Sequence, residues 1–172
     1  AVKAPGDTVS ALLNQTPCPA ILIGGPPDSG KSVLANTLRW DLLKKNLNKQ
    51  IFLHRANWDG QGNWAYETAN RQLVKRLVRE NEFRIHESDL TRHLIPDYFE
   101  KNRRDVKNLR ELVDLVIVDV GGKPQPEKMP LVEQCTHYII ISKSREQIGE
   151  WHELCRPKLQ PLAVIHSVLK TR

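Results

Sequence analysis

What the chain has little of narrows the field first. No apolar run approaches the roughly 18 residues a membrane-crossing helix requires, so no membrane partner is expected. No basic start leads into an apolar stretch with a small-residue cleavage site, so no secretory leader is expected either. Cysteine is scarce and odd in number, Cys18, Cys135 and Cys155, with no CxxC spacing. That usage predicts reduced packing thiols in a cytoplasmic protein rather than a disulfide framework. The 6 histidines are dispersed without zinc spacing and read as surface or packing residues. The only methionine is Met129 and the first residue is Ala1. The expectation is therefore a processed product or a piece of something longer.

What remains is an ordinary globular composition. At 172 residues one domain is favoured over two, and a single core of that size buries roughly 70% of the surface the unfolded chain exposes. A formal charge of +6 fits a phosphate-bearing partner and is equally compatible with a protein that never meets nucleic acid.

Along the chain, Ala1 to Pro19 carries Pro5, Gly6, Pro17 and Pro19 without a clear period. It reads as a linker with one helical turn around Val9 to Leu13, ahead of a nucleotide-binding domain over 20–172. Ala20 to Gly24 is a compact apolar run ending in glycines, as in a buried strand. Ser32 to Leu47 places Leu34, Leu38 and Leu42 at helical spacing. Ile51 to Ala56 predicts a second strand, and Tyr66 to Glu80 a helix. Ser88 caps a short helix stopping before Pro96, and Asp97 to Leu112 makes another, with Val106 and Leu109 inward. Further strands are expected at Leu115 to Val118, His137 to Ile141 and Leu162 to Ile165, with a helix over Arg145 to Cys155. Strands alternating with helices mean βαβ units, a parallel sheet and helices on both faces. Ligands in such sheets bind at the carboxyl ends of the strands, where Gly24, Ala56, Asp119 and Ser142 fall.

The chemistry concentrates in Gly25-Pro26-Pro27-Asp28-Ser29-Gly30-Lys31-Ser32, a full Walker A pattern between a strand and a helix. Gly25 and Gly30 permit backbone angles closed to other residues. The N–H groups of the loop then turn inward around a phosphate, and the helix adds its positive dipole end. Residues Gly25 to Val33 are the expected nucleotide contacts. Lys31 reaches the β and γ phosphates, and the Ser32 hydroxyl binds Mg²⁺. The expected cofactors are ATP, or another nucleoside triphosphate, and Mg²⁺.

Asp119 closes the run Leu115-Val116-Ile117-Val118. A carboxylate at the tip of a buried strand needs a cation or donors, and in P-loop proteins such an Asp orients the Mg²⁺ shell; the plain alternative is a cap for the following turn. Asp59 lies in the Asn57 to Trp64 loop, which holds two glycines and two tryptophans. It is either a base or second metal carboxylate beside Trp58 or Trp64, or the corner of an Asp-Gly turn. The stretch Arg71 to Arg110 is rich in base with acids interleaved. Either its helix faces are simply solvated, or Lys101, Arg103 or Arg104 closes over triphosphate or a phosphorylated substrate.

Gly24 to Ser32, the loop from Arg55 to Trp64, and Val118-Asp119-Val120-Gly121-Gly122-Lys123-Pro124 together resemble one group of proteins. It is the AAA-labelled ATPase-type domain fused behind a CRISPR-associated ring nuclease, which degrades cyclic oligoadenylate and serves antiviral defence. The resemblance covers nearly everything after Pro19. It implies an N-terminal nuclease partner, fused or associated, and an RNA-derived substrate nearby. The sequence departs from AAA+ proteins themselves. They follow the strand-end Asp with a catalytic Glu, whereas Val120 follows Asp119, and no sensor arginine or helical lid is evident. Asp-x-Gly-Gly is closer to P-loop kinases and the dethiobiotin-synthetase-like branch. The expected architecture is therefore a three-layer α/β P-loop fold, with five mainly parallel strands ordered 2-3-1-4-5.

The leading functional expectation is an ATP-dependent phosphotransferase-like domain or ATPase in which Lys31, Asp59 and Asp119 carry the chemistry. Two alternatives stand beside it. One is a nucleotide-gated regulatory or oligomerisation module, able to self-associate, with little turnover. The other is an RNA-binding domain resting on the basic stretch.

Overall fold

The structure is a computed structural model describing residues 9, 12–13, 15–57, 70–81 and 89–167. The elements run β1 (Ala20–Gly24), α1 (Lys31–Lys45), β2 (Ile51–Ala56), α2 (Arg71–Asn81), α3 (Asp89–Arg92) and α4 (Ile95–Leu112). There follow β3 (Leu115–Val120), a 3₁₀ turn (Pro126–Lys128) leading into α5 (Met129–Val132), β4 (His137–Ser142), α6 (Arg145–Cys155) and β5 (Gln160–His166). All described strand pairs are parallel, in the order β2-β3-β1-β4-β5. This is the expected order, with the Asp119 strand directly beside the strand that feeds the glycine loop.

The pattern of side chains explains the layering. Every residue of β1, β3 and β4 is buried, as near-continuous apolar runs require when both sheet faces are covered. On one face Ile21, Ile23, Leu53 and Ile117 pack with Leu38 and Leu42 of α1. On the other, Val116, Val118 and Ile140 pack with Phe99 and Val106 of α4, Leu131 of α5 and Trp151 of α6. The odd residues of β3 therefore face α1 and the even ones face α4, which sends Asp119 to the α1 side. Pro161 sits on the edge strand β5, where its missing N–H is tolerated, and the β4–β5 register slips between Tyr138 and Ile139.

Several boundaries differ from those expected. The first helix stops at Lys45, because the Asn46 backbone N–H and side-chain amide both return to the Leu42 carbonyl, at 2.9 and 3.0 Å. Leu47, expected on its apolar face, is 85% exposed. The short helix α3 stops at Arg92, before Pro96 as expected, but α4 begins at Ile95 and not at Asp97, with Pro96 in its first turn, where its missing N–H costs nothing. The second helix begins at Arg71, where Asn70 Oδ1 accepts the backbone N–H groups of Gln72 and Leu73; Tyr66 and Ser88 lie outside the described residues. Residues assigned to a linker join the core. Val9 and Leu13 pack under the α1 face, Cys18 packs on the other, and the Cys18 carbonyl accepts from Arg110 Nε at 2.6 Å. The folded unit thus draws on residues before Ala20.

All three thiols are free and buried. Burial pushes Cys18 up to about 11 and Cys155 up to about 12, and raises Cys135 as well, so they are packing groups and not nucleophiles. Among the described residues no helix is long and apolar enough to cross a membrane.

Trp151 is 1% exposed, and its ring packs so tightly on Gly24 that an added Cβ there would lie 2.7 Å from it. Trp151→Ala is expected to cost about 3–5 kcal/mol of stability, read from urea unfolding. A loss below about 1 kcal/mol would show that the site collapses without the ring.

Candidate functional site

The loop after β1 is shaped by close approach and by unusual backbone angles. Gly25 has φ +150°, and a Cβ there would meet the Ile141 carbonyl oxygen at 2.1 Å. Gly30 has φ +93° and Asp28 φ +57°. The first turn of α1 carries no side-chain cap at Gly30, which leaves its leading N–H groups for a ligand. Ser29 Oγ is buried without a hydrogen-bond partner among the described residues. Lys31 is 8% exposed, and its Nζ donates to the Pro26 carbonyl at 2.6 Å. The loop thus folds back on itself, the Pro26 carbonyl accepting from both the Ser29 backbone N–H and the Lys31 ammonium.

Ser32 Oγ donates to Asp119 Oδ2 at 2.7 Å, and Asp119 is 1% exposed. The two expected metal residues are therefore together. One carboxylate and one hydroxyl suit Mg²⁺, which fills its octahedron with phosphate oxygens and water instead of an all-protein cage. Among the described residues no group of three or more His, Cys, Asp or Glu could hold a metal without such help.

A cavity of about 380 Å³ adjoins Ser32, lined by Pro27, Asp28, Gly30, Lys31, Ser32 and Val33 together with Asn57 and Gly122. A second, about 540 Å³, borders the same loop at Pro26 to Ser29 and reaches Lys143, His166 and Ser167, at the carboxyl ends of β4 and β5. Gly25 lines neither cavity and serves through its backbone. Gly122 packs on Pro27 so closely that a Cβ would approach its nitrogen to 2.6 Å.

The remaining candidates divide. Asp59, Trp58 and Trp64 lie outside the described residues. Several described residues of the basic stretch pair on their own helices. Lys101 pairs with Asp105 at 2.6 Å, Arg103 with Glu100 at 2.6 Å and Arg76 with Glu80 at 2.7 Å. Arg110 spans to the Cys18 and Gln134 carbonyls. These are helix-surface and tertiary ties, as the plainer expectation has them.

Four residues at the site were not among the expected site residues. Arg55 Nε stands 3.5 Å from Asp119 Oδ2; its place in an alternating strand, two residues after Leu53, is the signal that could have found it. Asn57 Oδ1 and Lys128 Nζ both border Gly121, at 2.9 and 3.9 Å from where its Cβ would be. Gly122 is the fourth. Lys128 is 2% exposed, donates to Gln125 Oε1 at 3.1 Å and lies 5.5 Å from the Phe99 ring centroid. Burial pushes its ammonium down to about 8; Lys31 and Lys123 add to the fall and Glu127 opposes it.

No family model and no curated protein matches this chain. Solved structures do match its fold. The kinase domain of the Escherichia coli tyrosine kinase ETK superposes with a TM-score of 0.63 at 13% identity, over 96% of this chain and 73% of that one. A plasmid partition protein from Borrelia burgdorferi B31 bound to AMPPNP gives 0.59 at 16% identity, over 90% and 78%. A Borrelia burgdorferi partition protein from an iodide soak gives 0.57 at 16%, over 90% and 82%. The chain has the P-loop α/β fold of these kinase-like and partition-type proteins, with their parallel sheet in the order 2-3-1-4-5.

Lys128 gives a pH signature. The unfolded lysine titrates near 10.5 and the folded one near 8, so between those values the unfolded chain binds the extra proton and stability rises with pH. Below that window both states are protonated and the burial penalty is fully present. The whole gain is on the order of 3 kcal/mol. Lys128→Met should lose this rise, read by urea unfolding from pH 7 to 11; parallel wild-type and variant curves would refute the depressed lysine.

Proposed function

We propose that this chain binds a nucleoside triphosphate, ATP foremost, together with Mg²⁺, and transfers or hydrolyses its γ-phosphoryl group. The observation that carries the reading is that Lys31 and Ser32 line one cavity at the mouth of the glycine loop while the Ser32 hydroxyl donates to the buried Asp119 carboxylate. The phosphates would lie in the 380 Å³ cavity against the N-terminus of α1. Base and ribose would extend into the 540 Å³ cavity beside Lys143 and His166. Bound Mg²⁺ would neutralise charge between the β and γ phosphates. Lys31 would exchange its bond to the Pro26 carbonyl for phosphate oxygens, Ser32 and Asp119 would hold the metal and its waters, and the loop amides would fix the chain of phosphates.

Lys31→Ala is expected to weaken ATP binding by about a hundredfold with circular dichroism unchanged, because the ammonium serves the ligand and not the core. Calorimetry with ATP and Mg²⁺ tests it, and wild-type affinity in the variant would refute the site.

Asp59 follows β2 in the chain, and this reading gives it the acceptor, with Trp58 or Trp64 shielding the reaction from water. Asp59→Asn should keep ATP affinity and lower turnover by roughly a hundredfold. Equal turnover would return the residue to turning a corner.

A regulatory module is the second reading. The contact of Gly122 with Pro27 joins the loop after β3 to the phosphate loop, so a bound nucleotide that moved one would move the other. Sustained phosphate release from purified protein favours the enzyme, and binding without turnover favours the switch. An attached ring nuclease and self-association remain parts of the proposal resting on sequence. RNA binding is a third reading that rests on the basic stretch alone.

A further inference from the structure

Arg55 occupies a position where the alternation of β2 calls for a core residue. Ile51 and Leu53 pack on the α1 face with Ile117, and Arg55, two residues further, is the register partner of Asp119. Its side chain is 5% exposed, beside an Asp119 that is 1% exposed. A guanidinium seldom goes so deep unless it meets an opposite charge. Arg55 Nε faces Asp119 Oδ2 at 3.5 Å, and that same oxygen accepts the Ser32 hydroxyl at 2.7 Å. At that length the contact is an ion pair, looser than an aligned charge-assisted hydrogen bond of roughly 2.7–2.9 Å. The side chains in place to receive a divalent cation thus already have a cation against them.

We propose that Arg55 is the internal counter-ion of the metal site: it neutralises Asp119 in the metal-free protein and competes with Mg²⁺ for that carboxylate. The proposal rests on the nucleotide reading above and adds a constraint to it. A divalent ion entering alone meets both the guanidinium and Lys31. A metal that arrives on a triphosphate brings its own negative charge, which offsets both. The site would therefore discriminate against free metal and accept the metal–nucleotide complex. Arg55 acts through Asp119 and is a positioning residue, not a catalytic one.

The test uses the metal alone. Mn²⁺ is titrated into nucleotide-free protein and followed by electron paramagnetic resonance, in wild type, Arg55→Met, Arg55→Lys and the Arg55→Met/Asp119→Asn double variant. Arg55→Met should bind Mn²⁺ about tenfold more tightly than wild type, and the double variant should lose that gain. Equal or weaker binding in Arg55→Met, including none detectable in either protein, overturns the proposal. So does a gain that survives loss of the Asp119 carboxylate. If Arg55→Met fails to fold, Arg55→Lys decides. It keeps a charge in place but withdraws it from the carboxylate, so binding should shift in the same direction, and wild-type affinity overturns the proposal. Calorimetry of wild type with ATP and Mg²⁺ runs alongside. A wild type that ignores ATP sinks the nucleotide reading, whereas unchanged Mn²⁺ affinity with ATP binding intact sinks the role of Arg55 alone.

Discussion

The bond from Ser32 to Asp119 joins the first turn of α1 to the end of β3, and it exists only because β3 lies directly beside β1. The parallel register sets Ile23 against Asp119, one residue before the chain leaves the sheet for the glycine loop. A strand inserted between β1 and β3 would add a spacing of roughly 4.8 Å and break the contact. The strand order is therefore a condition of the site's chemistry as well as a feature of classification. It also determines which neighbour Asp119 has on its other flank, since β2 follows β3 and brings Arg55 into line.

A second constraint is steric. The glycine loop lies against the end of β4, so close at Gly25 that no side chain fits before the Ile141 carbonyl. Gly122 meets Pro27 with the same lack of room. These contacts pin the loop from two sides, on the sheet and on the segment after β3. A loop with positive φ at Gly25, Asp28 and Gly30 needs that support, because such backbone angles are not held by regular secondary structure.

Where residue pattern and burial coincide, the sequence was easy to interpret. The bounds of β1, β2 and α6 agree with those expected; β1 is an apolar run closed by glycine, and the Ser144 hydroxyl caps the start of α6. The phosphate loop was legible for the same reason. Leu47 misled because spacing cannot tell that Asn46 closes the helix before it. Val9 and Leu13 were hidden in a proline-rich stretch whose tertiary burial has no local signal. Arg55 and Lys128 were hidden differently. A basic residue in a strand or a polar loop reads as solvated, and only the strand order and the packing of Phe99 reveal that each is inside.

Those two residues change the charge balance of the site. Among the described residues, the lysines classed as buried are Lys31 and Lys128, and the buried carboxylate is that of Asp119; the Arg55 side chain is nearly as enclosed. Three cationic side chains are thus enclosed near the site, with Arg55 directly beside Asp119. Enclosing an ammonium is costly, and the depressed Lys128, lowered first by burial and in part by Lys31, is that cost expressed as a proton affinity. Gln125 and the Phe99 ring soften it without cancelling it. A polyanion entering beside Lys31 would draw the Lys128 titration back upward. The burial that weakens the fold would in that way favour an anionic ligand of the kind proposed, since binding would return part of what enclosing the ammonium costs.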